Sequence, residues 1–537
     1  MEGLQLVVII GAAIIGGGWV ARRLRLPPSL VLLLLGVAIG FIPLAGNVEL
    51  PPDLVLLLFL PALLYWESIT TSLREIRSNL RVILLAAIGL VLVTAVGVGA
   101  AANALGLPWP IALALGAILA PTDATAVSSV ASGLPRRILT TVRTESLIND
   151  GTALVLYSVA IGAAVGGTGI EIGPLAVAFL WSYLVAIALG LAIGFVIGWL
   201  RRFVREPSLV NTLIVLTPFL AFLPAELLHA SGVVAVVVCG LVSSHLPDFS
   251  ASAVARRQGY GFWEVATYIL NGSLFVLIGI QFHLIVTSID PVDWPLTLGL
   301  SGVAIVLVLG IRLAWFNTIP YVLRAVDRRP SQRARRVHAR QRFPGAWAGF
   351  RGAVSLAAAL ALPLETAQGE PLPYRQTLIA VTFAVILFTL VVQGLTMPAV
   401  VRWARLPPDP TEEWENLLAE RTALEAVIEE LPRVAAETGA APAIRDALLS
   451  EYRSRLEAVS QRMSDDDKTV RMLDDELTGD DGESALRLAV LPVKRRAIVA
   501  LRDSRQIDDV VLRRIQARID AEEIRLEART GDLEEDV

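Results

Sequence analysis

The sequence predicts an all-α membrane protein of thirteen transmembrane helices, arranged as two inverted six-helix repeats with crossed, interrupted helices 5 and 12, and followed by a charged helical C-terminal domain. Composition points there first: of 537 residues, 55% are hydrophobic and only 18% are charged, against about 25% charged in an average soluble domain. Mean hydropathy is +0.63. The apolar excess is concentrated in residues 1–405, in thirteen stretches long enough for a bilayer core, which needs roughly 20 helical residues. They fall at 3–21, 28–44, 53–70, 80–105, 109–130, 137–165, 173–200, 208–227, 230–246, 262–287, 294–323, 344–364 and 375–402.

Loop charge tests that count independently of hydropathy. Alternate loops hold Arg22, Arg23 and Arg25; Arg74, Arg77 and Arg81; Arg136 and Arg137; Arg201, Arg202 and Arg205; Arg256 and Arg257; eight arginines from Arg324 to Arg342; and Arg402 with Arg405. That places 23 basic residues on one side, while the opposite loops hold Arg375 alone. Basic loops mark the cytoplasmic face, so the expectation is a multi-pass protein of the plasma membrane with its N-terminus outside and its C-terminus in the cytoplasm. Met1-Glu2 opens the first stretch without a basic n-region, and no small-residue cleavage site precedes Arg22-Arg23, so it reads as a retained span.

The chain divides at about residue 405. Residues 1–405 form the transmembrane domain, net +9, and residues 406–537 form a cytoplasmic domain, net −13, beginning near Pro407-Pro408. Three and four spacing of apolar residues predicts amphipathic helices over 417–435, 443–461 and 484–529, with Asp465-Asp466-Asp467 and Asp480-Asp481 as solvated breaks. This domain is expected to pack on itself or on a symmetry mate; opposite net charge favours the alternative that it docks on the arginine-rich loops or binds a regulator. No phosphate loop, nucleotide fingerprint or EF-hand names a ligand. The single cysteine, Cys239, can form no intramolecular disulfide, and His229, His245, His283 and His338 lack ligand spacing, so no metal cofactor or redox function is indicated. Neither a nucleophile and base pair nor a His/Glu metal motif points to an enzyme, and nothing points to nucleic acid.

Two spans carry their own interruptions. The fifth contains Ala120-Pro121-Thr122-Asp123-Ala124-Thr125, where proline lacks an N–H and clashes with the preceding turn. The twelfth contains Gly349-Phe350-Arg351-Gly352, where two glycines bracket an arginine. The two occupy matching positions if spans 1–6 and 8–13 are repeats, and the odd offset of seven inverts one repeat against the other; such paired interruptions point to a transporter site at the midplane. Asp123 reads as a cap on freed amides or a site residue, and Arg351 as compensation for negative half-helix ends. Glu145 and Arg312 read as a structural ion pair between spans six and eleven. Arg143 is near enough to the cytoplasmic end to snorkel, and Glu67 lies near the end of span three.

Asp150 is then left without a cationic partner in the middle of a span, and an intramembrane carboxylate is by default a functional hypothesis. Ser146 lies one turn earlier on its face, and Glu145 stacks under Asn149. Burial disfavours the charged form, so such a group takes a proton at low pH and a cation at high pH, which is the simplest basis for antiport. A small alkali ion needs hard oxygen ligands, available from Asp150, Ser146 and the oxygens around Thr122.

The segments Phe59-Leu60-Pro61-Ala62-Leu63-Leu64, Pro121-Thr122-Asp123-Ala124-Thr125-Ala126-Val127, Glu145-Ser146-Leu147-Ile148-Asn149-Asp150-Gly151-Thr152-Ala153 and Gly349-Phe350-Arg351-Gly352-Ala353-Val354-Ser355 occur in that order. Together they resemble the monovalent cation:proton antiporter-1 family, which includes the NhaP-type antiporters and the sodium/proton exchangers, over about residues 5–405. The resemblance implies a homodimer in the lipid bilayer, with a mobile six-helix core that moves like an elevator. It implies exchange of Na+ and Li+ for H+, with Asp150 as the shared carboxylate, Ser146 and Thr122 as further oxygens, Glu145–Arg312 as the core ion pair, and Asp123 and Arg351 at the helix crossing. Asn149 stands where electrogenic relatives carry a second carboxylate, which implies electroneutral one-for-one exchange. The alternatives are a K+/H+ antiporter of the same fold, an ion or pH sensor, and an ion channel. Two departures from the family are the local order Tyr65-Trp66-Glu67 and Arg143-Thr144 in place of Glu-Gly.

Overall fold

The computed structural model describes residues 2–24, 26–42, 55–123, 127, 134–167, 172–204, 206–245, 252–326, 338–406, 411–464 and 481–531. Expectations that fall on Arg25, Ala124-Thr125-Ala126, Arg205, the loop arginines at 328–336, Pro407-Pro408 and the acidic residues 465–467 and 480 lie outside them. Among the described residues every repetitive element is helical, and one bridge joins Glu365 to Pro371 in a loop.

In chain order the helices are α1 (Glu2–Leu24), α2 (Pro28–Gly40) and α3 (Leu60–Thr70, preceded by a π turn Val55–Phe59). Then come α4 (Leu73–Leu84), which runs through a π turn (Leu85–Leu90) into α5 (Val91–Ala104), and α6 (Trp109–Leu119). They are followed by α7 (Arg136–Gly166), α8 (Ile172–Leu200), α9 (Pro207–Leu227), α10 (Gly232–His245), α11 (Ala253–Ser288) and α12 (Trp294–Val326). Next are two short helices, α13 (Ala339–Trp347) and α14 (Ala353–Leu360), and then α15 (Arg375–Phe388), joined by a π turn (Thr389–Gln393) to α16 (Gly394–Ala404). Among the described residues eight helices are long and apolar enough to cross a membrane, and four further apolar ones are shorter, at Pro28–Gly40, Leu57–Thr70, Trp109–Leu119 and Gly232–His245.

Local chemistry sets many of these limits. Prolines open α2, α6 and α9 at positions where an N–H has no helical partner. Ser252 caps α11 by accepting from the Ala255 N–H at 3.2 Å, which carries the helix nine residues further back than its apolar stretch. Gly167 ends α7 in the left-handed conformation, φ 65°. The longest apolar side chains of α8, among them Leu180, Leu184, Phe195 and Trp199, point outward, as a lipid-facing helix requires.

Small residues let backbones meet. A Cβ on Gly36 would stand 2.2 Å from the Val276 carbonyl oxygen, and one on Gly279 would stand 2.3 Å from that of Leu33. The Gly36-x-x-x-Gly40 run of α2 therefore seats directly on α11, the close approach that small-residue motifs permit between membrane helices. The largest buried cluster joins α2, α5, α6, α7, α11, α12, α14 and α15. A second joins α3, α9, α10 and α11.

The C-terminal residues form α17 (Thr411–Thr438), α18 (Pro442–Ser464), α19 (Asp481–Asp503) and α20 (Asp509–Gly531). The segment expected as one helix over 484–529 is two, because Arg505 turns the chain at φ 61° and Asp508 caps the next helix through the Val510 N–H at 3.0 Å. One apolar cluster unites α17 with α18 and α19 through Val427, Leu431, Tyr452 and Val490; another unites α17, α19 and α20 through Ala419, Ile498, Val511 and Leu526. These helices also touch the membrane helices. Asp508 accepts from the Ser72 hydroxyl at 2.5 Å, Asp509 from the Leu73 N–H at 3.2 Å, and Asp520 from Arg256 at 2.6 and 2.9 Å. Arg74 pairs with Glu415 and Asp508, and Arg513 donates to the carbonyls of Ile69 and Thr70.

Candidate functional site

Two interrupted segments cross at the centre. α6 stops at Leu119 because Pro121 supplies no N–H to continue it, and α13 stops at Trp347 before the non-helical run Ala348 to Gly352. The two non-helical runs are tied by the Asp123 N–H donating to the Phe350 carbonyl at 2.8 Å. Arg351, buried at 2% exposure, donates from Nε to the Leu119 carbonyl at 3.0 Å and also to the Gly349 carbonyl. It thus lies on the carbonyl end of α6, where a half-helix carries partial negative charge. The Asp123 carboxylate lies at the opposite kind of end, beside Gly352 at the start of α14; a Cβ on Gly352 would stand 1.7 Å from Asp123 Oδ2.

Arg312 serves the other carbonyl end. Its guanidinium meets Glu145 at 2.5 and 3.3 Å and donates to the last-turn carbonyls of α13, Ala346 at 3.1 Å and Gly345 at 3.3 Å. Glu145 and Arg312 are 0% and 1% exposed. The arginine therefore neutralises both a carboxylate and a half-helix terminus.

α7 brings Ser146, Asn149 and Asp150 to this crossing. The Ser146 hydroxyl donates to the Thr122 carbonyl at 2.5 Å, and the Asn149 amide donates to the Thr122 hydroxyl at 2.8 Å. Asp150 is 4% exposed, and its Oδ1 is buried with no hydrogen-bond partner among the described residues. A cavity of about 50 Å³ is lined by Asp150, Ser146, Thr122, Asp123, Glu67 and Ser355 among others. An adjoining vestibule of about 500 Å³, with Arg143, Glu264 and Tyr268 in its wall, shares Leu63, Glu67 and Asn271 with that cavity. Asn149 does not line the cavity and holds Thr122 from behind; Glu145, Arg312 and Arg351 are likewise set back from it. Glu67 lies on the cavity wall, between the vestibule and Asp150. Asn271 and Ser355 were not singled out from sequence, although Asn271 interrupts the apolar run of α11 as Asp150 interrupts that of α7. No group of three or more His, Cys, Asp or Glu residues suited to a metal cofactor occurs among the described residues.

Residues 9–403 match the model of the family described as sodium/hydrogen exchanger, transmembrane. The chain belongs to this family. It is 44% identical over 530 residues to the uncharacterized Na(+)/H(+) exchanger Rv2287 of Mycobacterium tuberculosis, covering 98% of this chain and 96% of that protein. It is 31% identical over 417 residues to the Na(+)/H(+) antiporter ApNhaP of Aphanothece halophytica, 76% of each chain. Among solved structures, the sodium proton antiporter MjNhaP1 from Methanocaldococcus jannaschii shares the fold, with TM-score 0.59 at 19% identity over 76% of this chain and 100% of that one. The exchanger is thus a multi-pass helical membrane protein and a cation/proton antiporter, a secondary transporter rather than an enzyme. Its helix crossing falls inside the matched residues.

Proposed function

We propose that this exchanger moves Na+ and Li+ against H+, one for one, across the plasma membrane, with cation and proton competing for Asp150. The single observation that carries the reading is the buried, unpartnered Asp150 Oδ1 on a cavity beside a wide vestibule. The other charges at the crossing have structural work: Glu145 holds Arg312, Arg351 covers α6, and Asp123 faces the start of α14. Asp150 is then the carboxylate of the crossing left to be neutralised, with Glu67 on the wall shared with the vestibule, and one carboxylate at the crossing accepts one proton or one monovalent cation. Asn149 contributes an amide where a second carboxylate would change that ratio, and so favours electroneutral exchange. Ser146 and Thr122 offer oxygens to the bound ion, and Asp123 adds negative potential nearby.

Crossing the membrane with Asp150 charged and empty is opposed by the cost of an unpaired ion in an apolar surround; either ligand removes it. Alternating access follows from that rule. In this reading the chain crosses thirteen times in two inverted repeats, residues 1–405 form the transporter and residues 406–537 the cytoplasmic domain, and the functional unit is a homodimer. The N-terminus is outside, so the vestibule beside Arg143 faces the cytoplasm and the conformation is inward-facing.

The test is reconstitution in liposomes with a preset pH gradient, followed by addition of Na+, Li+ or K+. Na+ and Li+ should collapse the gradient at a rate independent of a clamped membrane potential, and Asp150→Asn should abolish the collapse while remaining folded. Collapse by K+ alone would reassign the cation; exchange retained by Asp150→Asn would remove Asp150 from the mechanism.

A further inference from the structure

A second, larger cavity of about 900 Å³ lies between the C-terminal helices and the membrane helices. Its membrane wall holds Arg201, Arg202 and Arg256, and its C-terminal wall holds Arg495, Arg496, Arg502 and Arg513. Two carboxylates, Asp509 and Glu523, line it with them. Among the described residues five carboxylates stand in or beside this wall against the seven arginines, so guanidinium remains in excess. Asp520 is shared by Arg256 and Arg495, Glu523 also pairs with Arg495, Glu430 with Arg496 and the 57% exposed Asp503 with Arg502, while Arg513 is directed at the carbonyls of Ile69 and Thr70. Clustered guanidinium groups repel one another unless an anion is among them.

Buried donors in this wall that lack acceptors among the described residues include Arg495 Nε and Trp263 Nε1. Part of the remaining wall is aromatic. Trp66 stacks on Trp263 with ring centroids 6.0 Å apart and planes within 13°, and Tyr260 meets Trp66 edge-on. The volume falls within the range of about 300–1,000 Å³ usual for small-molecule sites.

We infer that this cavity binds a phosphate ester of net negative charge, its phosphate held by the arginines and its apolar portion laid on the Trp66–Trp263 wall. Phosphate is the matching anion because its several oxygens accept the paired donors of guanidinium forks, and Trp263 Nε1 and Arg495 Nε supply further donors to the same charge. The ester can arrive as the headgroup of an anionic phospholipid or as a soluble organic phosphate. This site is separate from the ion cavity and does not depend on which cation is exchanged.

The test uses the full chain, purified in detergent and stripped of lipid, with binding read by native mass spectrometry and by the thermal unfolding midpoint. The probes are phosphatidylglycerol, phosphatidylcholine and ATP. The variants are Arg201→Gln/Arg202→Gln, which leaves the contacts of Arg74 and Arg256 in place, and Arg496→Gln, whose side chain is 63% exposed and so is tolerated by the fold. Saturable binding of phosphatidylglycerol or ATP, absent for phosphatidylcholine and weakened about tenfold in the double variant and by high salt, is expected. Binding of the lipid alone names the headgroup as the source, and binding of ATP alone names a soluble ester. Absence of saturable binding by either phosphate probe, or affinity unchanged in both variants, overturns the inference.

Discussion

Replacing Arg312 by alanine tests the charge arrangement of the crossing most directly. The substitution removes two bonds to Glu145, at 2.5 and 3.3 Å, and two to the carbonyls of Ala346 and Gly345. Glu145 is then a carboxylate at 0% exposure with its cation gone, a situation that costs about 3–5 kcal/mol. The two carbonyls lose a charged donor, worth about 1–3 kcal/mol each. A loss of this size should lower the unfolding midpoint in detergent by about 5 °C or more at a fixed scan rate and reduce the yield of folded protein. The double variant Glu145→Leu/Arg312→Met removes the stranded charge and should recover most of the loss, leaving the two carbonyls as the residue of the effect. An Arg312→Ala protein with wild-type midpoint and yield would refute this account, as would a double variant no better than the single one.

At the crossing itself, Gly352→Ala places a Cβ 1.7 Å from Asp123 Oδ2, so the carboxylate must move; exchange in liposomes should fall at least about tenfold, and near-normal rates would show that Asp123 is free to leave. Glu67→Gln removes a carboxylate from the wall that leads to Asp150 and should raise the KM for Na+ about three- to tenfold with kcat retained; an unchanged KM would take Glu67 out of the cation path. Arg513→Ala deletes the bonds to the carbonyls of Ile69 and Thr70 and should speed proteolytic release of the C-terminal helices by about tenfold or more, whereas an unchanged rate would show that those bonds do not hold the dock.

Much of the helical layout is legible because each cause is local. Pro121 ends α6 through its missing N–H, Gly349 and Gly352 weaken the helix in the run before α14, and apolar length marks the long helices. The spacing of Ser146 and Asp150 on one helix face is equally local. What meets that face is not. The Thr122 carbonyl and hydroxyl reach Ser146 and Asn149 only after the chain breaks at Pro121, and Arg351 finds the Leu119 carbonyl from 232 residues away. Glu67 reads as a residue near a helix end until the tilt of α3 is known, and then it lines the cavity. The division of the last amphipathic segment falls in the polar run Arg502-Asp503-Ser504-Arg505-Gln506, where Arg505 turns the chain and Asp508 caps the next helix; the acceptance by Asp508 of the Ser72 hydroxyl, from the other domain, is the part no local pattern discloses.

α3 has a position that its sequence alone does not disclose. Leu60, Leu63, Leu64 and Glu67, spaced at three and four, line the ion cavity. Tyr65, Trp66 and Ile69, on other faces of the same helix, line the arginine-rich cavity. The carbonyls that end the helix, of Ile69 and Thr70, are held by Arg513, and the next residues, Ser72 and Leu73, are held by Asp508 and Asp509. One three-turn helix is therefore the wall between the two chambers and the point of attachment of the C-terminal helices.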